Sequence, residues 1–160
     1  MAINGPAAGF GLTVTLPATI RVAYAMAKVG LPFARRGLTM EACSSFFLPR
    51  LVGHSKALHV ALTGTTFLAF DSMVNTLFSE LLSTPEETVS RALAIADDIA
   101  VNTSLVSTML MRDLLFHGRS TAEEAHVLDS GVFLAMLDQR ITKRVLKALK
   151  RKETCVLRTP

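Results

Sequence analysis

The chain has 160 residues, half of them hydrophobic, and a formal charge of +4; its mean hydropathy is +0.40. That is the length of one domain with more apolar side chains than a soluble domain ordinarily carries, so the excess needs a membrane, a subunit interface or a further part of the same fold. A spanning helix is excluded, because the longest uncharged stretch, Met1 to Ile20, is broken by Gly5, Pro6, Gly9, Gly11 and Pro17 and no run of about 20 apolar residues exists.

Gly9 to Leu16 is expected to form a short helix stopped by Pro17, and Ile20 to Ala25 alternates in the manner of a strand. A turn is expected around Gly30-Leu31-Pro32. From Met40 the pattern is mostly helical: Met40 to Leu51, interrupted at Pro49 and closed by Gly53, then Ser55 to Leu62, ended by Gly64. Val74 to Leu82 reads as a short strand. Thr84-Pro85-Glu86-Glu87 is a capping box with proline in the first turn, and Val89, Leu93, Ala96 and Ala100 keep helical spacing behind it. Further helices run from about Thr103 to His117 and from a cap at Ser120, with Glu123 in its third position. From Arg140 the tail is amphipathic, Ile141, Val145 and Leu149 opposing Lys143, Lys147 and Lys150.

That tail accounts for the basicity. It holds eight Lys and Arg against one acid, while the preceding 139 residues carry nine basic and twelve acidic groups. With no aromatic residue in the tail to stack on bases, nucleic acid is not an expected partner. The N-terminus lacks the charged-then-apolar build of a signal peptide. Cys43 and Cys155 show no metal or redox spacing, and His54, His59, His117 and His126 no ligand pattern, so no metal is expected.

Two segments invite chemistry. Gly5-Pro6-Ala7-Ala8-Gly9-Phe10-Gly11 puts small residues before a helix, where backbone N–H groups can approach a developing anion. Alone, such a stretch more simply packs a helix on a strand. Glu41 is the only acid before Phe70 and lies among Leu38, Met40, Ala42, Phe46 and Phe47. Apolar neighbours can raise a carboxyl group's pKa toward that of a proton-shuttling base. Spacing alone favours a plainer role, a first-turn glutamate paired with Arg35 or Arg36. Ser44 and Ser45 with His54 lack the elbow and third member of a hydrolase.

Read together, AINGPAAGFGLTVTLPATIRVAYA, AKVGLPFARRGLTMEACSSFFLPRLVGHSKALHVALTG, FSELLSTPEET and STAEEAHVLDS resemble the enoyl-CoA hydratase/isomerase (crotonase) superfamily. The Glu-Ala-Cys-Ser-Ser placement is similar to that of the peroxisomal Δ3,Δ2-enoyl-CoA isomerase branch and its fungal relatives. The resemblance implies an α/β fold: part of a ClpP-like ββα spiral over residues 1–82, then a helical trimerisation region over 83–160. It implies Glu41 as the catalytic base, reversing the plainer reading. The Phe10 amide becomes an oxyanion donor, with Gly9, Gly11, Leu12, Thr13 and Phe33 lining the acyl pocket. Thr13 and Phe33 stand where hydratases of this fold carry two glutamates; a single acid suits a 1,3 proton shift.

The resemblance further implies a coenzyme A thioester as substrate, no permanently bound cofactor, and a trimer or hexamer, or a mixed oligomer with a full-length homologue. The early spiral turns, which supply the first oxyanion amide and most nucleotide contacts, are expected to be missing before Met1. Near the C-terminus the family's Asp-x-x-x-Glu-Gly pattern is altered: Asp138 persists, but Lys143 and Arg144 stand near where Glu-Gly is expected. A peroxisomal setting follows by resemblance. The Arg-Thr-Pro ending, however, is not a Ser-Lys-Leu type address, which leaves the cytoplasm. Three functions are consistent with these residues: a 3-enoyl-CoA isomerase, a 2-enoyl-CoA hydratase, or a catalytically silent truncated subunit. The first two serve fatty-acid or fungal secondary-metabolite (toxin) acyl chains.

Overall fold

In the computed structural model, which describes residues 1–138, short strands alternate between two small sheets. Strands β1 (Ala2–Ile3), β3 (Val22–Tyr24) and β6 (Glu80–Leu82) form one sheet, all parallel; Ala2 pairs with Val22, and Ala23 with Leu81. Strands β2 (Ala7–Ala8), β4 (Lys28–Gly30) and β5 (Thr66–Leu68) form the other. There β4 runs parallel to β2 and antiparallel to β5. Each pass of the chain thus leaves one strand in each sheet, and the helices fill the returns.

Between them lie α1 (Phe10–Thr13), α2 (Ser44–Val52) and α3 (His54–Thr63), and after β6 comes α4 (Pro85–Asn102). The core joins both sheets to these helices through Ile3, Leu12, Val29, Leu48, Val60 and Leu77. Buried Arg21 stitches two returns together: its guanidinium donates to the carbonyls of Leu16, Ala18 and Leu77 at 2.6–2.8 Å. Desolvation lowers the pKa of Arg21, the cost of placing a charge where its partners are neutral carbonyls.

Several expectations need correction. Gly30 closes β4 instead of opening a turn, and β5, unsuspected, runs so near that a Cβ on Gly30 would lie 2.8 Å from the Thr65 carbonyl oxygen. The helix expected from Met40 begins only at Ser44, because Ala42 and Cys43 both take positive φ and so cannot extend an α-helical hydrogen-bond ladder. Val74 to Leu82 is not one strand: Asn75–Leu77 is a 3-10 turn, set by Asp71, whose carbonyl accepts from Val74 and Asn75.

Helix α4 opens as expected, Thr84 Oγ1 accepting from the Glu87 amide at 3.1 Å. Its inward stripe, however, is Thr88, Ala92, Ile95 and Ile99, whereas Val89 and Leu93 are exposed. Two overlapping apolar stripes occupy this helix, and the spacing by itself picked the outer one.

The chain divides into two compact units, Met1–Thr103 and a second beginning at Ser104. Helix α4 packs on β1, β3 and β6 and so belongs with the first unit. The second unit contains α5 (Leu105–Phe116), capped by Ser104, and α6 (Ala122–Asp138). Thr121, not Ser120, caps α6, accepting from the Glu124 amide at 3.2 Å. The amphipathic tail, the Asp138 side chain, Lys143 and Arg144 lie outside the described residues. Among the described residues no single helix is long and apolar enough to cross a membrane.

Candidate active site

The first half of the site is made by the glycine-rich turn into α1. Gly9 stands at its N-cap with φ 57° and ψ −126°, a backbone state that side chains with a Cβ strongly disfavour. Its N–H is held by the Gly30 carbonyl at 3.0 Å, and its own carbonyl accepts from Leu12 and Thr13. Phe10 and Gly11 are then the first helical residues, whose amides have no intrahelical acceptor and point out of the helix end. Both residues are exposed. The ring of Phe33 lies over Gly9, close enough that an added Cβ would sit 3.7 Å from Cζ.

The second half is Glu41, brought in by the loop before α2. The two successive left-handed residues after it, Ala42 and Cys43, with φ 51° and 56°, reverse the chain at a cost of roughly 1–2 kcal/mol each. Buried Ser44 offsets part of that cost by fastening the Glu41 carbonyl, to which both its amide and its hydroxyl donate. The two halves meet through Thr13. Its hydroxyl donates to Glu41 Oε1 at 2.5 Å and lies 3.2 Å from the Phe10 carbonyl oxygen. One hydroxyl group therefore separates the carboxylate from the peptide of Phe10.

The structure thus gathers Gly9, Phe10, Gly11, Thr13, Phe33 and Glu41 within two loops and one helical turn. Neither Leu12 nor Thr13 has surface to line an acyl pocket: Leu12, 1% exposed, belongs to the core, and Thr13, 0% exposed, meets Glu41 from beneath with its hydroxyl. Glu41 does not sit in a helical first turn, and Arg35 is not its partner. Arg35 instead lies over Gly64 and donates to the Thr63 carbonyl and Thr65 hydroxyl, a cation at the C-terminal end of α3. Two supporting roles escaped the sequence reading, the Ser44 latch and the Thr13 bridge. Neither has a sequence signal, since each joins a side chain to a segment placed by the fold. An apolar groove of about 630 Å³ between α5 and α6, lined by Leu110, Met111, Leu114, Phe133 and Met136, belongs to the second unit and contains none of these residues.

The two-sheet α/β spiral with helices in its returns is the fold of the crotonase class. The chain belongs to the enoyl-CoA hydratase/isomerase family, which it matches over residues 1–155. It is 42% identical over 151 residues to enoyl-CoA hydratase AKT3-2 of Alternaria alternata, covering 94% of this chain and 51% of that protein. It is 45% identical to enoyl-CoA hydratase AFT3-1 of the same organism over 139 residues, which is 87% of this chain and 47% of that one. Among solved structures, a "probable enoyl-CoA hydratase/isomerase" of Mycobacterium abscessus superposes with a TM-score of 0.83 at 28% identity. The superposition covers 93% of this chain and 59% of the other. The chain therefore spans about half the length of the relatives that it matches.

Proposed function

We propose that this chain contributes the catalytic carboxylate and one oxyanion donor of an enoyl-CoA isomerase, moving the double bond of a 3-enoyl-CoA to the 2-position. The observation that carries this reading is the hydrogen bond from Thr13 to Glu41, which holds the only acid of the first seventy residues beside the Phe10 loop. Glu41 takes a proton from C2 of the thioester. The electron pair passes through the thioester carbonyl to its oxygen, where the Phe10 N–H receives the developing charge. The protonated carboxyl then returns its proton to C4 as the pair flows back, leaving the double bond between C2 and C3. One base serves both ends. Phe33 and Gly9 form the wall along which the acyl chain lies, and Gly11 leaves the helix end open. The acyl chain belongs to fatty-acid or secondary-metabolite metabolism, the latter in keeping with the fungal relatives.

Water addition to a 2-enoyl-CoA is the second reading, favoured by the hydratase names of those relatives. Glu41 would then activate the water and also deliver the proton. A silent subunit within a larger assembly is the third, favoured by the apolar residues that α5 and α6 expose.

The test is conversion of a 3-enoyl-CoA, followed at the absorbance of the conjugated 2-enoyl thioester. The wild-type chain is expected to turn over, and Glu41→Gln to lose about 100- to 10,000-fold in kcat. Accumulation of a 3-hydroxyacyl thioester from 2-enoyl-CoA would favour the hydratase. An inert wild type that restores activity to a full-length homologue, with or without Glu41, would favour the silent subunit.

A further inference from the structure

We propose that Thr13 is a positioning residue that assigns different tasks to the two oxygens of Glu41, holding Oε1 and leaving Oε2 to carry the substrate proton. The inference rests on the isomerase reading for its kinetic consequence, while the contact itself does not depend on that reading.

Thr13 is 0% exposed, so no bulk water competes for its hydroxyl. That hydroxyl has one proton and two acceptors, Glu41 Oε1 at 2.5 Å and the carbonyl of Phe10 at 3.2 Å. A hydrogen bond to an ionised acceptor is roughly twice as strong as one between neutral groups. While Glu41 is ionised the proton therefore points to Oε1. Glu41 makes no ion pair with any described residue, and its residue as a whole is exposed; Thr13 is the side chain that steadies it. With Oε1 engaged, the proton removed from C2 goes to Oε2.

Protonation then changes the balance. The carboxyl becomes neutral, its claim on the Thr13 hydroxyl falls to that of an ordinary acceptor, and the Phe10 carbonyl competes on equal terms. The hydroxyl is then free to swing toward the peptide of Phe10, the residue whose amide faces the enolate, and is drawn back to Oε1 when Oε2 gives its proton to C4. No proton leaves Thr13 during this motion, so the carried proton stays on the outer oxygen. Branching at Cβ restricts the rotamers of Thr13, which keeps Oγ1 between its two acceptors.

The experiment compares wild type, Thr13→Val, Thr13→Ser and Glu41→Gln in two readouts. With a 3-enoyl-CoA, Thr13→Val is expected to lower kcat about 10- to 100-fold, the scale of a misplaced reacting group, with KM little changed. Thr13→Ser is expected to restore most of the rate. Without substrate, the 13Cδ resonance of Glu41 in the 13C-glutamate-labelled chain should move in Thr13→Val and return in Thr13→Ser. The unaltered chain adds a check that needs no variant: a slowly exchanging Thr13 hydroxyl proton in contact with Glu41. A Thr13→Val chain with wild-type kcat would overturn the proposal, as would an unmoved Glu41 resonance or a fast-exchanging hydroxyl in the wild type. If the resonance responds but Glu41→Gln turns over like wild type, the contact stands and the isomerase reading falls.

Discussion

Gly9 concentrates much of the site's geometry in one residue. Its φ and ψ turn the chain so that the next two amides face outward, and its N–H is fixed by Gly30. Gly9→Ala meets no steric wall, since the nearest atom of Phe33 would be at 3.7 Å. The cost is therefore in the backbone, about 1–3 kcal/mol for a residue held in a region that tolerates only glycine. The expected outcome is a lower urea midpoint together with a loss of kcat from the displaced Phe10 amide. Urea titration and turnover assays on the same preparation check both. The glycine was legible from sequence as part of a small-residue stretch. The Thr13 bridge was not, because Thr13 and Glu41 are 28 residues apart and only the fold makes them neighbours.

Among elements, the contact of β6 with α4 is fastened by a two-pronged ion pair, Arg91 Nε and Nη2 each 2.7 Å from an oxygen of Glu80. The hydrogen bonds from Arg91 hold the Glu80 pKa below the usual carboxylate range, and the pair raises that of Arg91. For a carboxylate with a depressed folded-state pKa, the stabilisation is fully present above the unfolded value and disappears as pH falls through the folded one. Thermal melts of wild type and Glu80→Gln should therefore differ near neutrality and converge in acid below the ordinary carboxylate range. The difference should be small, since both side chains are solvated, and should shrink in high salt. At this scale the sequence was most readable where local chemistry decides, as in the Thr84 cap of α4. It was least readable where a neighbour decides: β5, the end of β4 at Gly30, and which stripe of α4 turns inward.

At the scale of the molecule, the second unit leaves large apolar side chains in water, Leu115 at 86% and Val127 at 72% exposed. Apolar patches of this kind mark surfaces that association covers. Analytical ultracentrifugation of the chain is expected to find an oligomer, trimer or hexamer, and the double change Leu115→Lys with Val127→Lys to shift it toward smaller species. The excess hydrophobicity that composition revealed has its counterpart in these residues.

The sequence by itself determined the family and the Thr84 cap of α4, and it singled out Phe10 and Glu41 as candidates, the one by the glycines around its amide and the other as a lone carboxylate. Those features are local, written in residue type and short spacing. Only the tertiary structure decided that Glu41 sits in a reversed loop and not a helical turn, that Ser44 latches its backbone, and that Thr13 couples its carboxylate to Phe10. It also decided that Arg35 serves the end of α3 and that Leu12 belongs to the core. These outcomes depend on segments far apart in sequence being packed together, so that buried hydroxyl, amide and guanidinium groups take the acceptors that the fold brings within reach.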